Sequence, residues 1–384
     1  MDAAAWESLF EGSLTLSAEH TDVDTLAELP ARRGVLLFAD ALNQPIQLIQ
    51  TANLRTLSRS RLADSGDDTP HRKADMASVT RQVYYVCCTN DFERQLLYQR
   101  LTHAVFGTQW KKWIALPRRV FAAIDRTRPF PYFYLTGAVE SDESVDVFGP
   151  FANRRTATQF CESLNFAFEL CRNPALLDSG NPESCPYRQM RTCHGLCCRE
   201  NGRAAYAQHV DQAVWTADGN LTEAIDGRRR QMKQAAAVLD FETAQRRKKQ
   251  TDRLNALLHP DFAWTGRLTN VRIIQIGRGE KCLPEGGKKK IQYYHCWFID
   301  IDGVCLLGRF AENDPAEMEG ILKQAELNTA GEPEYYPYAL NRQEHVATIG
   351  WFLYRKNRPG LWFNASVSFP TAERILNELC LYKD

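Results

Sequence analysis

Five cysteines (Cys171, Cys185, Cys193, Cys197 and Cys198) fall within 28 positions of a 384-residue chain that has 12 cysteines in all. Four of them follow the spacing C-x13-C-x7-C-x3-C. Four converging thiolates can hold a tetrahedral zinc ion or a four-cysteine iron–sulfur cluster. Soft sulfur ligands suit both metals, and spacing alone does not separate them. A single cysteine is most simply a small buried hydrophobe. Four so close together, beside a Cys-Cys pair in a basic, glycine-containing loop, point instead to metal at Cys171, Cys185, Cys193 and Cys197, with Cys198 as the alternative fourth ligand. A second pattern with chemical potential is Asp300-x-Asp302 in FIDIDG, the type of acidic pair that can hold a divalent metal at a strand end. Asp302-Gly303 serves equally as a hairpin turn, which is the simpler reading. His295 and His345 read as lone strand histidines without signal.

The elements that must position these residues are legible in outline. At about 150 residues per domain, the length suggests two or three domains. The 47 basic and 47 acidic residues cancel, and hydrophobic content is 44%, which excludes wholesale disorder. With no net positive charge, any nucleic-acid contact must come from a local patch. No stretch approaches the roughly 18 apolar residues of a membrane span, and mean hydropathy is −0.42. The first residues, MDAAAWESLFEGS, lack a signal peptide's basic start and apolar core. The expectation is an intracellular, cytoplasmic protein without a membrane partner.

Residues 1–29 read as a weakly amphipathic leader. In 30–107, GVLLFAD–ALNQ–PIQLIQ predicts a strand–turn–strand hairpin, NLRTLSRSRL a basic helix, and ADSGDDTPHRKA at 63–74 a loop. RQVYYVCCT then predicts a strand, followed by a helix capped by Asn90 or Asp91. Residues 108–218 alternate strands (PYFYLTGAV, VDVFGPF) with a helix that places Phe160, Leu164, Ala167 and Phe168 on one face, then enter the cysteine stretch. Residues 219–258 predict two helices. Met232, Ala235, Ala236 and Leu239 share a face in the first, and Phe241, Ala244, Leu254 and Leu258 in the second. Residues 259–384 read as β-rich and end in a helix, TAERILNELC. The fold class is α+β, with a small α/β unit, a metal-bound cysteine-rich connector, an αα-hairpin and a β-rich end.

Taken in order, GVLLFAD, NLR, FGPF at Phe148–Phe151, the cysteine spacing and MKQAAAVLDFETAQRRKKQTDRL resemble the UvrC family, the nuclease subunits of bacterial nucleotide excision repair. The resemblance covers about residues 28–258. It implies that the four cysteines hold a [4Fe-4S] cluster, which turns the preference from zinc to iron–sulfur. It also implies that Met232, Ala235, Ala236, Leu239, Phe241, Glu242, Ala244 and Arg247 form a UVR helical hairpin that docks on UvrB, with Phe241 as the anchor at the turn. A two-helix unit cannot bury enough apolar surface alone, so it should pair with another such unit; the competing reading is an αα-hairpin closed on the C-terminal part of the same chain. The basic run Arg246–Lys249 reads as a solvated face. The segment KKWIALPRRVFAAIDRTR, with Lys111, Lys112, Arg118, Arg119 and Arg126, mixes cations and aromatics as a surface tracking the backbone of damaged double-stranded DNA would. It also reads as an ordinary amphipathic helix and strand edge.

The family's N-terminal unit is a GIY-YIG nuclease, in which tyrosines activate water, an arginine steadies the phosphate and a glutamate anchors the metal. Carried over position by position, the first tyrosine becomes Leu36, the second Gln47, the lysine Gln50, the arginine Leu57 and the glutamate Tyr98. A phenol cannot replace a carboxylate on a hard cation. Arg55 or Arg59 could stand in for the arginine, and Glu93 for the carboxylate, only one at a time. The expectation is a degenerate GIY-YIG-like unit in a non-catalytic repair subunit or regulator. The alternatives are an active divergent endonuclease making one incision and a redox-responsive DNA-binding protein.

Overall fold

The computed structural model describes residues 6–17, 25–62, 76–115, 119–139, 144–190, 192–284, 288–312, 314–328, 335–336 and 341–382. The expected loop at 63–74 and Arg118 lie outside them. The architecture is α+β, with three four-stranded sheets in which every described strand pair is antiparallel. No helix among the described residues is long and apolar enough to cross a membrane.

The first sheet has the order β1 (Gly12–Thr15), β4 (Gln82–Cys87), β2 (Gly34–Ala39), β3 (Pro45–Thr51). The β2–β3 hairpin forms as expected, because Asp40 Oδ1 accepts the Leu42 and Gln44 N–H groups and closes the turn. The helices are α1 (Leu54–Leu62), α2 (Met76–Val79) and α3 (Asp91–Phe106). Strand β2 is buried on both faces: Leu36 and Phe38 share a cluster with Leu54 of α1, and Val35 and Leu37 share one with Leu97 and Leu101 of α3. Asn90, not Asp91, caps α3, since its side chain accepts the Glu93 N–H. The leader reading of residues 1–29 is corrected. β1 pairs with β4, and Trp6, Leu14, Leu16, Leu26 and Leu29 are buried in this unit's two cores.

The second sheet has the order β6 (Phe133–Thr136), β5 (Phe121–Asp125), β7 (Val145–Gly149), β8 (Gly266–Arg267). Helix α4 (Arg154–Ala167) packs on it behind a capping box in which Asn153 and Thr156 satisfy each other's backbone N–H groups. A Cβ on Gly149 would stand 2.8 Å from a ring carbon of Phe121, so the FGPF segment needs glycine there for close approach. The cysteine stretch follows, with two short helices, α5 (Pro174–Asp178) and α6 (Pro186–Gln189), and then α7 (Gly202–Ala217). Helices α8 (Leu221–Ala237) and α9 (Phe241–Asn255) form the expected hairpin. Its open end is rooted in the same core as α4 and the sheet, through Ile225, Leu254 and the following Leu257. The hairpin therefore closes on the middle of the chain, not on the C-terminal part.

The third sheet has the order β11 (Val304–Ala311), β10 (Ile291–Ile299), β9 (Ile273–Cys282), β12 (Leu361–Asn364). The β-rich expectation is corrected here, because α10 (Pro315–Asn328) and α11 (Arg342–Tyr354) join the anticipated α12 (Ala372–Leu381). Helix α11 was hidden because eight of its residues are buried around its circumference, which erases one-sided periodicity. Asp300 closes the β10–β11 turn: its Oδ1 accepts the Asp302 and Gly303 N–H groups, and its Oδ2 accepts the Tyr335 hydroxyl at 2.7 Å. Asp302 pairs with Arg342.

His345 lies on α11 rather than on a strand, with Nε2 2.7 Å from the Asp300 carbonyl. Burial outweighs the help of that carbonyl and holds its imidazole below the ordinary histidine range. Burial does the same to His103 and His209. In the unfolded chain these groups take up protons near pH 6.5, so the unfolded state binds more protons below that point. Stability should therefore be intact above about pH 6.5 and fall as the pH drops further. Urea midpoints measured from about pH 7 to pH 5 should decline, and His345→Gln should flatten the slope. A midpoint that holds or rises on acidification contradicts this.

Candidate metal centre

Cys171, Cys185, Cys193 and Cys197 line one pocket together with Phe130, Glu169, Tyr187, His194 and Tyr206. Cys198 does not line it, although its Sγ lies 3.8 Å from Cys197 Sγ. The pocket is built by local devices. The Tyr206 hydroxyl of α7 accepts the Cys171 N–H and donates to the Pro131 carbonyl, each at 2.8 Å, so it pins the first cysteine to the segment that leads into β6. A Cβ on Gly202 would overlap the Leu196 carbonyl at 1.8 Å, so only glycine lets the loop carrying Cys193 and Cys197 lie against α7. Gly195 takes up φ 61 and donates its N–H to Cys193 Sγ at 3.4 Å. Arg172 stacks over the Tyr187 ring at 4.1 Å.

Burial pushes the thiols up, Cys171 to about 11 and, with help from Cys198, Cys197 to about 12; Cys193 moves the same way. A metal taken up here would displace those protons. The donor set fits a soft metal or cluster in kind and in common location. Among the described residues, however, no three His, Cys, Asp or Glu side chains stand together as a group ready to hold a single ion.

A relay not foreseen from the sequence joins this pocket to the hairpin. Glu169, at φ 54 just past α4, places Oε2 2.8 Å from His194 Nε2 and accepts the Gln250 amide on Oε1 at 3.0 Å. Arg246 of α9 lies 3.2 Å from the same His194 nitrogen. Of the hairpin residues singled out, Ala235 and Ala244 are buried between the helices, and Met232 and Arg247 are half-buried. Ala236 and Glu242 are exposed. The tip is apolar and open: Val238, Leu239 and Phe241 are 76%, 73% and 67% exposed. Asp240 accepts the Thr243 N–H and fixes the start of α9.

The positions aligned with nuclease chemistry do not share one place. Leu36 is buried and Leu57 half-buried in the core beside α1, and Gln47 sits opposite Phe38 on β3. Tyr98 lies on α3, across the sheet, where it lines a separate cavity with Gln50. Burial raises its phenol, which keeps it uncharged. Arg55 donates to the Leu29 carbonyl. Glu93 is tied to His295 of β10 and to the Thr89 hydroxyl and N–H, so His295 is not a lone histidine. Burial pushes the Glu93 carboxyl up, yet these partners together hold it below the ordinary range. The basic segment is also divided. Lys111 pairs with Glu344, and Lys112 donates to Gln109. Arg119 is spent on the Phe151 and Ala152 carbonyls, and Arg126 on Asp146 and Asp211.

Residues 120–216 match the family model of the UvrC/Cho excinuclease middle domain. The chain is 27% identical over 228 residues to the UvrABC system protein C of Moorella thermoacetica, covering 58% of this chain and 36% of that protein. The corresponding protein of Oleidesulfovibrio alaskensis is 27% identical over 224 residues, covering 56% and 31%. That of Dehalococcoides mccartyi strain BAV1 is 23% identical over 274 residues, covering 66% and 44%. The matched part spans between about a third and less than half of the length of these relatives. No solved structure matches.

Proposed function

We propose that this chain acts in nucleotide excision repair as a UvrC-like subunit or regulator that binds UvrB and damaged DNA without nuclease chemistry of its own, a reading supported by the match of residues 120–216 to the UvrC/Cho middle domain. The observation that carries this reading is the hairpin. Its root is buried in the middle core, while its tip displays three large apolar side chains, Val238, Leu239 and Phe241, each about two-thirds exposed or more. Isolated exposed apolar residues are ordinary; several gathered at the end of a rigid two-helix arm make a docking surface. UvrB is the partner that the family resemblance supplies for it.

In this reading Cys171, Cys185, Cys193 and Cys197 hold a [4Fe-4S] cluster, with zinc as the alternative. The group would cross-link the stretch between α4 and α7 and stiffen the platform from which the hairpin projects. The Glu169–His194–Arg246 contacts run between that platform and α9.

Phe241→Ala should weaken association with UvrB by about thirtyfold, since truncating an anchor aromatic at an interface costs about 2 kcal/mol or more. Phe241 is 67% exposed, so circular dichroism and the melting temperature should stay unchanged. Titration of labelled UvrB checks this. Equal affinity of variant and parent, or no binding by the parent, refutes the docking role.

A further inference from the structure

The cavity beside Tyr98 is unlike the other sites. It has a volume of about 320 Å³ and is lined by Gln50, Gln95, Tyr98, Gln99, Trp113, Ile114, Ala115, Thr348 and Trp351, with no charged side chain among the described residues that line it. Its size falls within the range of small-ligand pockets. The lack of charge makes it a poor place for a metal ion, a phosphate or a carboxylate.

Two indoles stand at its mouth, Trp113 being 42% and Trp351 39% exposed. Trp113 is held by stacking on Phe106 at 4.1 Å between ring centroids and 12° between planes. Trp351 is braced edge-on by Phe352. Large aromatics left open and held in place are what a flat ring stacks on.

One of the lining residues carries an unmet hydrogen bond. Gln99 is fully buried, and its Nε2 donates to Thr348 Oγ1 at 2.9 Å. Thr348 in turn donates its only hydroxyl proton to the Glu344 carbonyl. That direction fixes the Gln99 amide, and Gln99 Oε1 has no partner. A buried acceptor without a donor is costly, so a ligand N–H at this point would gain what the protein forgoes. Gln50 donates to Gln95 at 3.4 Å, which leaves a complementary oxygen and NH₂ group on the same wall. Cations flank the mouth: Arg355 lies over the Trp351 ring at 4.7 Å, and Lys111 and Lys112 precede Trp113.

We propose that this cavity is a nucleobase-binding pocket, in which Trp113 and Trp351 take the faces of an uncharged heteroaromatic ring and Gln99 Oε1 accepts one of its N–H groups. Every DNA base presents such a donor on its pairing edge, so the pocket selects an unpaired base and not a particular sequence. The base can arrive on a DNA strand, with Lys112 and Arg355 beside the backbone, or as a free nucleoside. The inference requires neither the cluster nor the UvrB contact.

The test uses the full chain and three probes: a fluorescein-labelled thymidine oligonucleotide, the same backbone made entirely of abasic units, and free thymidine. The base-bearing strand should bind about tenfold or more tightly than the abasic strand, given the usual worth of one base–aromatic stack. Trp351→Ala and Gln99→Leu should each remove most of that preference and leave abasic binding unchanged. If thymidine competes with the strand, the pocket also takes free nucleosides; if it does not, the base must be presented by a strand, and both outcomes support the pocket. Equal affinity for the two strands, no binding by any probe, or full preference in Trp351→Ala overturns it. Trp351 is partly exposed, so that variant reports even if Gln99→Leu fails to fold.

Discussion

Cys193→Ser should strip an anaerobically purified sample of its brown colour and lower its iron content from about four atoms per chain to near zero, as expected for loss of one ligand from a four-cysteine cluster. The argument rests on where the four thiols stand. They come from three separate local structures, the end of α4, the turn before α6 and the loop before α7, yet all line one pocket. Tyr206 and Gly202 of α7 fix the two ends of that stretch. The segment between has little apolar core of its own, since Pro174–Asp178 and Pro186–Gln189 bury no residue. Ligation would supply the restraint that packing does not. The same substitution should therefore raise protease cleavage between Cys171 and Cys198 while leaving the N-terminal sheet intact. Cys198→Ser should keep the colour, because Cys198 does not line the pocket. So should Cys380→Ser, on the exposed face of α12. Stoichiometric zinc without iron in the parent protein would replace the cluster with a structural zinc. Full iron in Cys193→Ser would remove Cys193 from the ligand set.

The parts of the fold that could be read from the sequence are those where local chemistry and burial agree. The β2–β3 hairpin announces itself by a turn closed on Asp40, α4 by its one-sided apolar face, and the α8–α9 pair by two helical patterns and a break at Asp240. The cysteine cluster was visible because its residue type is chemically distinctive. What stayed hidden depends on distant partners. β1 is only Gly12–Thr15 and gains its meaning from pairing with β4. β8 is two residues long and extends a sheet whose other strands lie more than a hundred positions earlier. Glu93 and His295 are 202 positions apart, so neither signals the other. Tyr98, read as a damaged metal ligand, proves to share a cavity with Thr348 and Trp351 from a helix that the pattern did not reveal. The spacing of Gln95, Tyr98 and Gln99 does put them on one face of α3, a signal that was available but carried no chemistry without the opposite wall.

No metal-dependent incision of a damaged duplex by this chain is expected, with or without UvrA and UvrB. Hydrolysis of a phosphodiester by this type of site needs a carboxylate to anchor the metal, a cation for the phosphate and a group to orient water. Around Tyr98 the cavity lining supplies three amides, a phenol, a threonine and two indoles, and no carboxylate among the described residues. The aligned tyrosine and arginine positions, Leu36 and Leu57, are committed to the hydrophobic core on the other side of the sheet. The substitutes weighed for a shifted alignment are engaged elsewhere. Arg55 holds the Leu29 carbonyl, and Glu93 is locked by His295 and Thr89 at the junction with the third sheet. Releasing Glu93 to bind a metal would break that junction. Glu93→Ala should therefore lower stability, by about 3 kcal/mol if the buried pair behaves as such pairs do when one partner is removed, and should leave the absence of incision expected of the parent unchanged. Asp300 is likewise committed, closing the β10–β11 turn with both carboxylate oxygens occupied. The measurement is nicking of a lesion-bearing plasmid in Mg²⁺ or Mn²⁺. Nicking abolished by Glu93→Ala, Arg55→Ala or Asp300→Ala would place the active site at that residue. Nicking that survives all three would mean a catalytic centre elsewhere in the chain, and either result would end the non-catalytic assignment.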